Sequence, residues 1–305
     1  MWAITSYFNP VGYQRRLSNY KIFQANLGVP LVTVELSFDG HFELTDDDAD
    51  ILIQLSGGAV LWQKERLLNL AVKAVPANVK NIAWLDCDVI LERTDWIDEA
   101  KSQLIELHVV QLFSDAVDLD PEDREKASHH CNGHTSLPGV ASLSNARDLL
   151  SLGRQEKLVS KVRFNPGLAW AANRTLLEEH GFYDAAIVGG GDSLMASAMY
   201  GRFEPLAERF LLDMTRYRHY LKWAVPFYQS VAGRIGHVPG TIHHFKHGET
   251  ENRSYFDRQQ RLAGFNFDPD LDIRIGANGA WHWARPRPDL AEFLRTYFIS
   301  RAEDE

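Results

Sequence analysis

The chain has 305 residues, of which 45% are hydrophobic, and a formal net charge of −9. This content of apolar residues is sufficient for the core of one large domain or of two modest ones. The negative charge argues against a broad nucleic-acid surface, although a local basic cleft around a phosphate is still permitted. The sequence has no run of about twenty apolar residues, so we expect no membrane span.

The sequence starts at Met1 and enters an apolar segment at Trp2, without the basic segment and cleavage site of a signal peptide. We therefore expect a cytoplasmic protein. The two cysteines, Cys87 and Cys131, cannot form a disulfide framework, and we expect both to be reduced.

Strand-like and helix-like segments alternate in the first half of the chain. The predicted elements are a strand at 2–6, a helix at 13–26, strands at 30–36 and 50–55, a helix at 62–75, and a strand that ends at 85. Leucine and alanine recur at helical spacing in 62–75, and Pro76 ends that helix. The alternation predicts an α/β fold with a parallel, doubly wound sheet in a single domain.

A pair of carboxylates follows the strand at 82–85, in the tripeptide Asp86-Cys87-Asp88. Charges at the end of a buried strand are costly unless they are paired or hold a cation. Oxygen ligands of this kind suit Mn²⁺ or Mg²⁺ on a diphosphate, and ligands of open α/β sheets bind at the carboxyl ends of the strands. The alternative is a solvated Asp-x-Asp turn, since aspartate is a common turn residue.

The middle of the chain, residues 115–161, is polar and only weakly periodic. It contains a group of metal-binding residue types: His129, His130, Cys131 and His134. The group lacks a second ligand pair at a recognisable zinc spacing, and long irregular segments are more often lids or binding loops. We therefore favour a variable loop over a zinc site.

The second half contains, within 164–172, an apolar strand that is entered by a turn, then a helix that begins near Asn173, and a glycine run before a further helix at 193–199. Gly189-Gly190-Gly191 precedes Asp192 in that run. Glycines permit a substrate to approach the backbone closely. Asp192 is either the N-cap of the helix or a functional acid, and the sequence leaves both open.

Two histidines, His244 and His247, lie three residues apart near residue 245. A lone buried histidine is usually a hydrogen-bonded core residue, but two at this spacing can converge on one ion.

These segments form an ordered set that resembles a known class of enzymes. The set is Trp62-x-Lys64-x-Arg66, Asp86-x-Asp88, Gly-Gly-x-Asp at 189–192, His244-x-x-His247 and Tyr255-x-x-Arg258. It resembles the metal-dependent, inverting glycosyltransferases of the GT-A fold, and is most similar to the family-2-like enzymes and the beta-1,4-galactosyltransferases. The resemblance covers about residues 1–270 and implies a Rossmann-like, doubly wound mixed sheet.

The resemblance implies a metal site and a base. Asp86, Asp88, His244 and His247 match the positions that hold Mn²⁺ or Mg²⁺, with Asp88 and His247 the firmer ligands. Asp192 matches the general base. One departure concerns the acceptor: the galactosyltransferases have an acidic residue just before the base, where this chain has Gly191, so the identity of the acceptor does not transfer.

The resemblance also implies a donor site for a nucleotide-sugar. Its predicted residues are Ser6, Tyr7, Asn9, Trp62, Lys64, Asp86, Gly190 and Gly191. The turn after the first strand would hold uracil, and Lys64 is expected to be a surface cation at a helix start. The predicted layout is a nucleotide-binding half (1–114), a variable loop region (115–161), an acceptor and metal half (162–270) and a C-terminal extension (271–305).

The predicted function is transfer of a hexose from a nucleotide-diphosphate sugar, with UDP favoured, to a hydroxyl of a carbohydrate or other acceptor, with inversion. One alternative is a sugar nucleotidyltransferase, but such an enzyme is expected to have a glycine-rich, basic phosphate loop after the first strand, which residues 6–10 do not form. The other alternative is a protein that binds a nucleotide-sugar without transferring it.

Overall fold

The computed structural model describes residues 1–119, 136–160 and 162–305. The histidine and cysteine group at 129–134 lies outside the described residues.

The centre of the molecule is a seven-stranded mixed sheet. Its strands, from one edge to the other, are β3 (Ile51–Ser56), β2 (Leu31–Ser37), β1 (Trp2–Phe8), β4 (Asn81–Leu85), β9 (Ala169–Asn173), β6 (Val109–Gln111) and β10 (Ile235–His237). Strands β1 to β4 pair in parallel, and so do β6 and β10, whereas β9 runs antiparallel to both β4 and β6.

A smaller sheet lies at the end of β4. Its strands in order are β5 (Val89–Leu91), β11 (Thr241–Phe245), β7 (Asp115–Leu119) and β8 (Ser136–Pro138). Strand β11 pairs with β5 antiparallel and with β7 in parallel. A two-stranded ribbon follows late in the chain, formed by β12 (Ile273–Ile275) and β13 (Trp281–Trp283).

The helices surround these sheets. They are α1 (Gln14–Asn26), α2 (Lys64–Ala74), α3 (Trp96–Gln103), α4 (Ala146–Leu150), α5 (Arg154–Val159), α6 (Arg174–His180), α7 (Gly191–Met199), α8 (Phe203–Phe210), α9 (Met214–Val231), α10 (Asp257–Ala263), α11 (Pro269–Asp272) and α12 (Pro288–Ser300). Across the described residues, none of these helices has both the length and the apolar character needed to cross a membrane.

Both faces of the central sheet are buried. In β4, Ile82 and Trp84 pack into one hydrophobic core, while Ala83 and Leu85 pack into another on the opposite face. Strands buried on both faces are nearly continuous apolar runs, which is the pattern seen in the sequence. The predicted fold class is confirmed: a single α/β domain with the doubly wound mixed sheet expected of a GT-A fold.

Most predicted elements in the first half lie within two residues of their observed bounds, but one prediction needs correction. Strand β1 continues through Phe8, so Ser6 and Tyr7 belong to the strand and not to the turn after it. In the second half, strand β9 begins at Ala169 and is entered by a turn, as predicted; this turn ends at Leu168 with a positive φ of 67°.

Candidate functional site

Three predicted metal ligands meet where the two sheets join. Asp88 follows β4, and the pairing of β5 with β11 places His244 opposite Val89. The ligand atoms of Asp88, His244 and His247 all lie within 4.8 Å of one another. Nε2 of His247 is 3.1 Å and Nε2 of His244 is 3.8 Å from Oδ2 of Asp88. We call these three residues the metal triangle.

The metal triangle fits a divalent cation. Oδ1 of Asp88 is buried and has no hydrogen-bond partner in the described part of the chain, and a bound cation would satisfy it. Burial opposes the charge on Asp88, but His244 and then His247 outweigh this and hold the pKa of Asp88 well below its usual range. Two imidazoles and one carboxylate suit Mn²⁺ better than Mg²⁺, which prefers oxygen ligands.

Carboxylates also lie behind both histidines. Oδ1 of Asp118 is 2.7 Å from Nδ1 of His244, because β7 runs beside β11 with these residues in register. Oε1 of Glu303 is 3.4 Å from Nδ1 of His247. Such partners commonly orient histidine ligands of metals. The sequence analysis missed both, since each contact depends on how distant segments pack.

A second group of charges lies on the other side of Cys87. Lys64, the first residue of α2, has Nζ 2.5 Å from Oδ1 of Asp86 and 3.0 Å from Oδ1 of Asp192. Its side chain is only 11% exposed, so the expectation of a surface cation was wrong. The two carboxylates draw the ammonium inward, because buried charges need partners. We call Lys64, Asp86 and Asp192 the lysine cluster.

Asp86 was predicted to bind both metal and donor. In the structure it pairs with Lys64 and is not one of the three residues of the metal triangle. Burial raises the pKa of Asp86 to about 6, against the opposite influence of Lys64. The geometry favours Asp88 as the carboxylate ligand of the metal, and a metal-binding role for Asp86 stays a prediction.

Asp192 is not the N-cap of its helix. Gly190 occupies the cap position with a φ of 96°, and Asp192 lies in the first turn of α7, where the helix dipole favours negative charge. Its side chain is 34% exposed. The turn before β9 packs tightly against the Asp192 side chain, since a Cβ added at Gly167 would lie 2.6 Å from Cγ of Asp192.

The space beside the glycine run is occupied by protein. A Cβ at Gly190 would lie 2.8 Å from the Phe210 ring, and one at Gly191 would lie 1.9 Å from Oε1 of Glu65. In the structure Gly190 has the positive φ of the cap position, and Gly191 makes room for Glu65. A donor contact for Gly190 and Gly191 stays a prediction. Burial raises the pKa of Glu65 to about 8.

The turn predicted to hold uracil begins later than expected, because β1 extends to Phe8. Tyr7 is 2% exposed and donates a hydrogen bond to Oε2 of Glu43 at 2.5 Å, and its donor contact stays a prediction. Ser6 is partly buried within β1. Asn9 does begin the turn, where its Oδ1 accepts from the backbone N–H of Tyr13 at 2.9 Å. Donor contacts for Ser6 and Asn9 stay predictions.

Trp62, the predicted aromatic contact of the nucleotide, packs beneath the last helix. Its ring stacks on Phe298 with centroids 6.2 Å apart, and the guanidinium of Arg301 lies 5.3 Å from its centre. A role for Trp62 in donor binding stays a prediction.

Arg253, which the sequence analysis did not single out, has Nη2 3.3 Å from Nε2 of His247.

No protein-family model matches the sequence, and no curated protein matches it. Solved structures with a similar fold include S. aureus TarS in complex with UDP-GlcNAc, which is 14% identical, with a TM-score of 0.42 over 98% of this chain and 71% of that chain. A mutant of Drosophila beta1,4-galactosyltransferase 7 in complex with manganese, UDP-Gal and xylobiose is 9% identical, with a TM-score of 0.41 over 96% and 98% of the two chains. An active-site mutant of LgtC is 11% identical, with a TM-score of 0.34 over 87% and 95%. Similarity at this level carries no inference about activity, which has to come from the side chains described above.

Proposed function

We propose that the protein is a metal-dependent glycosyltransferase that moves a hexose from a nucleotide-diphosphate sugar, with UDP as the nucleotide, to an acceptor hydroxyl with inversion. One observation carries the proposal. The tripeptide at 86–88 directs Asp88 to two histidines and Asp86 to Lys64 and Asp192. A cation site and a candidate base therefore share one edge of the sheet.

The metal triangle serves the leaving group in this proposal. Cleavage of the bond between the anomeric carbon and the diphosphate leaves negative charge on the β-phosphate, and a bound divalent cation supplies the compensating positive charge. Asp88, His244 and His247 would hold that cation.

Asp192 serves the acceptor. A hydroxyl has a high pKa and must lose its proton as it attacks, so a carboxylate close to it is required. Asp192 is accessible from solvent, and Lys64 fixes its orientation from the buried side. A direct attack from the face opposite the leaving group inverts the anomeric configuration, as in other single displacements at sugars.

A donor and acceptor panel tests this function. UDP-, GDP- and dTDP-hexoses are incubated with Mn²⁺ and p-nitrophenyl glycosides, and release of nucleoside diphosphate is measured together with the anomeric configuration of the product by NMR. We expect release of UDP and an inverted glycoside. Binding of a nucleotide-sugar without turnover would indicate a binding protein. Formation of a nucleotide-sugar from a nucleoside triphosphate and a sugar 1-phosphate would indicate a nucleotidyltransferase.

A further inference from the structure

A buried carboxylate near the end of the sequence lies against the metal triangle. Glu303 is fully buried, and its Oε1 is 3.4 Å from Nδ1 of His247. It also pairs with Arg16, whose Nε is 2.5 Å from Oε2, and with Arg301. The predicted layout gave residues 271–305 no role beyond an extension.

The segment around Glu303 is held firmly in place. Asp304 accepts hydrogen bonds from the backbone N–H groups of Gln14 at 3.0 Å and Arg15 at 2.8 Å, at the start of α1. On the other side the segment touches the residue after His247, since a Cβ added at Gly248 would lie 2.5 Å from the carbonyl oxygen of Arg301. The carboxylate of Glu303 therefore has a fixed direction.

Two arginines supply positive charge around Glu303. The guanidinium groups of Arg16 and Arg301 both form ion pairs with its carboxylate. The opposite nitrogen of the His247 ring, Nε2, faces Asp88 at 3.1 Å. The ring thus lies between an anion at Nδ1 and the proposed cation position at Nε2.

His244 has the same arrangement, with Asp118 behind Nδ1 and Asp88 in front of Nε2. The Glu303 contact is longer than an ordinary hydrogen bond of about 2.9 Å. Nδ1 of His247 is buried and has no hydrogen-bond partner in the described part of the chain, and Oε1 of Glu303 lies 3.4 Å from it.

We propose that Glu303 is a positioning residue for the metal site: its carboxylate keeps a proton on Nδ1 of His247 and so presents the Nε2 lone pair to a divalent cation. This inference rests on the metal site of the proposed function. It makes residues 301–305 part of that site, joined through Arg16 to the first helix.

The test measures Mn²⁺ affinity by electron paramagnetic resonance, without any nucleotide, in the wild-type protein and in Glu303→Gln. Glutamine keeps the shape but removes the charge and can turn an N–H towards the ring. We expect affinity to fall about 10- to 100-fold, as for other partners of histidine ligands. Glu305→Gln is the matched control, because Glu305 is an exposed carboxylate two residues further along the chain, and this variant should bind Mn²⁺ like the wild type. Unchanged affinity in folded Glu303→Gln would overturn the proposal.

A second measurement needs no variant and covers the case in which Glu303→Gln does not fold. The wild-type protein is labelled with ¹⁵N-histidine and loaded with ¹¹³Cd²⁺. We expect coupling from cadmium to Nε2 of His247 and a proton on its Nδ1. Coordination through Nδ1, or no cadmium bound to His247, would overturn the proposal. Neither measurement uses a nucleotide-sugar, so failure of sugar transfer would leave both results interpretable.

Discussion

Asp86 and Asp88 are two residues apart in the chain and lie in opposite electrostatic environments. Asp88 faces two imidazoles, which favour its charged form and lower its pKa. Asp86 is partly buried beside another carboxylate, and burial outweighs the opposite influence of Lys64, so its pKa is raised to about 6. Although an Asp-x-Asp sequence suggests one shared site, this chain divides the pair between the metal triangle and the lysine cluster.

The division suggests how one strand end can serve both halves of a displacement reaction. The metal triangle gathers two histidine nitrogens around a carboxylate, which suits a cation and the charge of a leaving diphosphate. The lysine cluster holds two carboxylates with one ammonium, which suits proton transfer from an acceptor. Two variants of the lysine cluster and one of the neighbouring Glu65 test this comparison.

The largest effect is expected for Asp192→Asn. Asparagine lacks useful basicity, and loss of a general base typically lowers the rate by about 10²–10⁴. The metal triangle is untouched, so the affinity for the UDP-sugar should persist. Single-turnover transfer and donor affinity, measured in parallel, separate the two sites. Transfer at the wild-type rate would show that the base lies elsewhere.

Lys64→Met should reduce stability substantially. Removing the cation leaves Asp86 and Asp192 facing each other without compensation, and breaking a buried ion pair typically costs about 3–5 kcal/mol. Because the two carboxylates are 25% and 34% exposed, we expect the lower end, about 3 kcal/mol, in urea unfolding at pH 7. Lys73→Met, at the exposed far end of α2, is the control and should change little. Equal stabilities of the two variants would indicate that Lys64 behaves as an ordinary surface cation.

Much of the fold was predictable because it follows from local patterns. The apolar runs of β1 to β4 and the helical spacing of α2 fixed those elements, and the residue types at 88, 244 and 247 indicated a metal site. The lysine cluster was not predictable, since the pairing of Lys64 with Asp192 joins residues 128 positions apart. Glu65 and Glu303 were missed for the same reason: their environments arise only when distant helices pack.

The effect expected for Glu65→Gln depends on pH. The folded state raises the pKa of Glu65 to about 8 from an ordinary value near 4.5, so the folded protein holds this proton more tightly than the unfolded chain. The contribution of Glu65 to the free energy of unfolding is fully present below pH 4.5 and is lost as the pH rises towards 8. Asp192, Asp86 and Lys64 are the charged groups around it.

Glutamine does not titrate, so the stability of Glu65→Gln relative to the wild type should improve steadily between pH 5 and pH 8. Thermal unfolding at several pH values measures this trend. Glu106→Gln, at an exposed position, is the control and should show none. A pH-independent difference for Glu65→Gln would contradict the burial of an uncharged carboxyl at this position.

The central claim is that Asp88, His244 and His247 hold a cation that binds the donor diphosphate. The most direct measurement is the calorimetric affinity for UDP in Mn²⁺ and in excess EDTA, for the wild type and for Asp88→Asn. The account predicts that UDP binds the wild type in Mn²⁺, and that binding is lost in EDTA and strongly weakened in Asp88→Asn. Equal UDP affinity with and without the metal would contradict it.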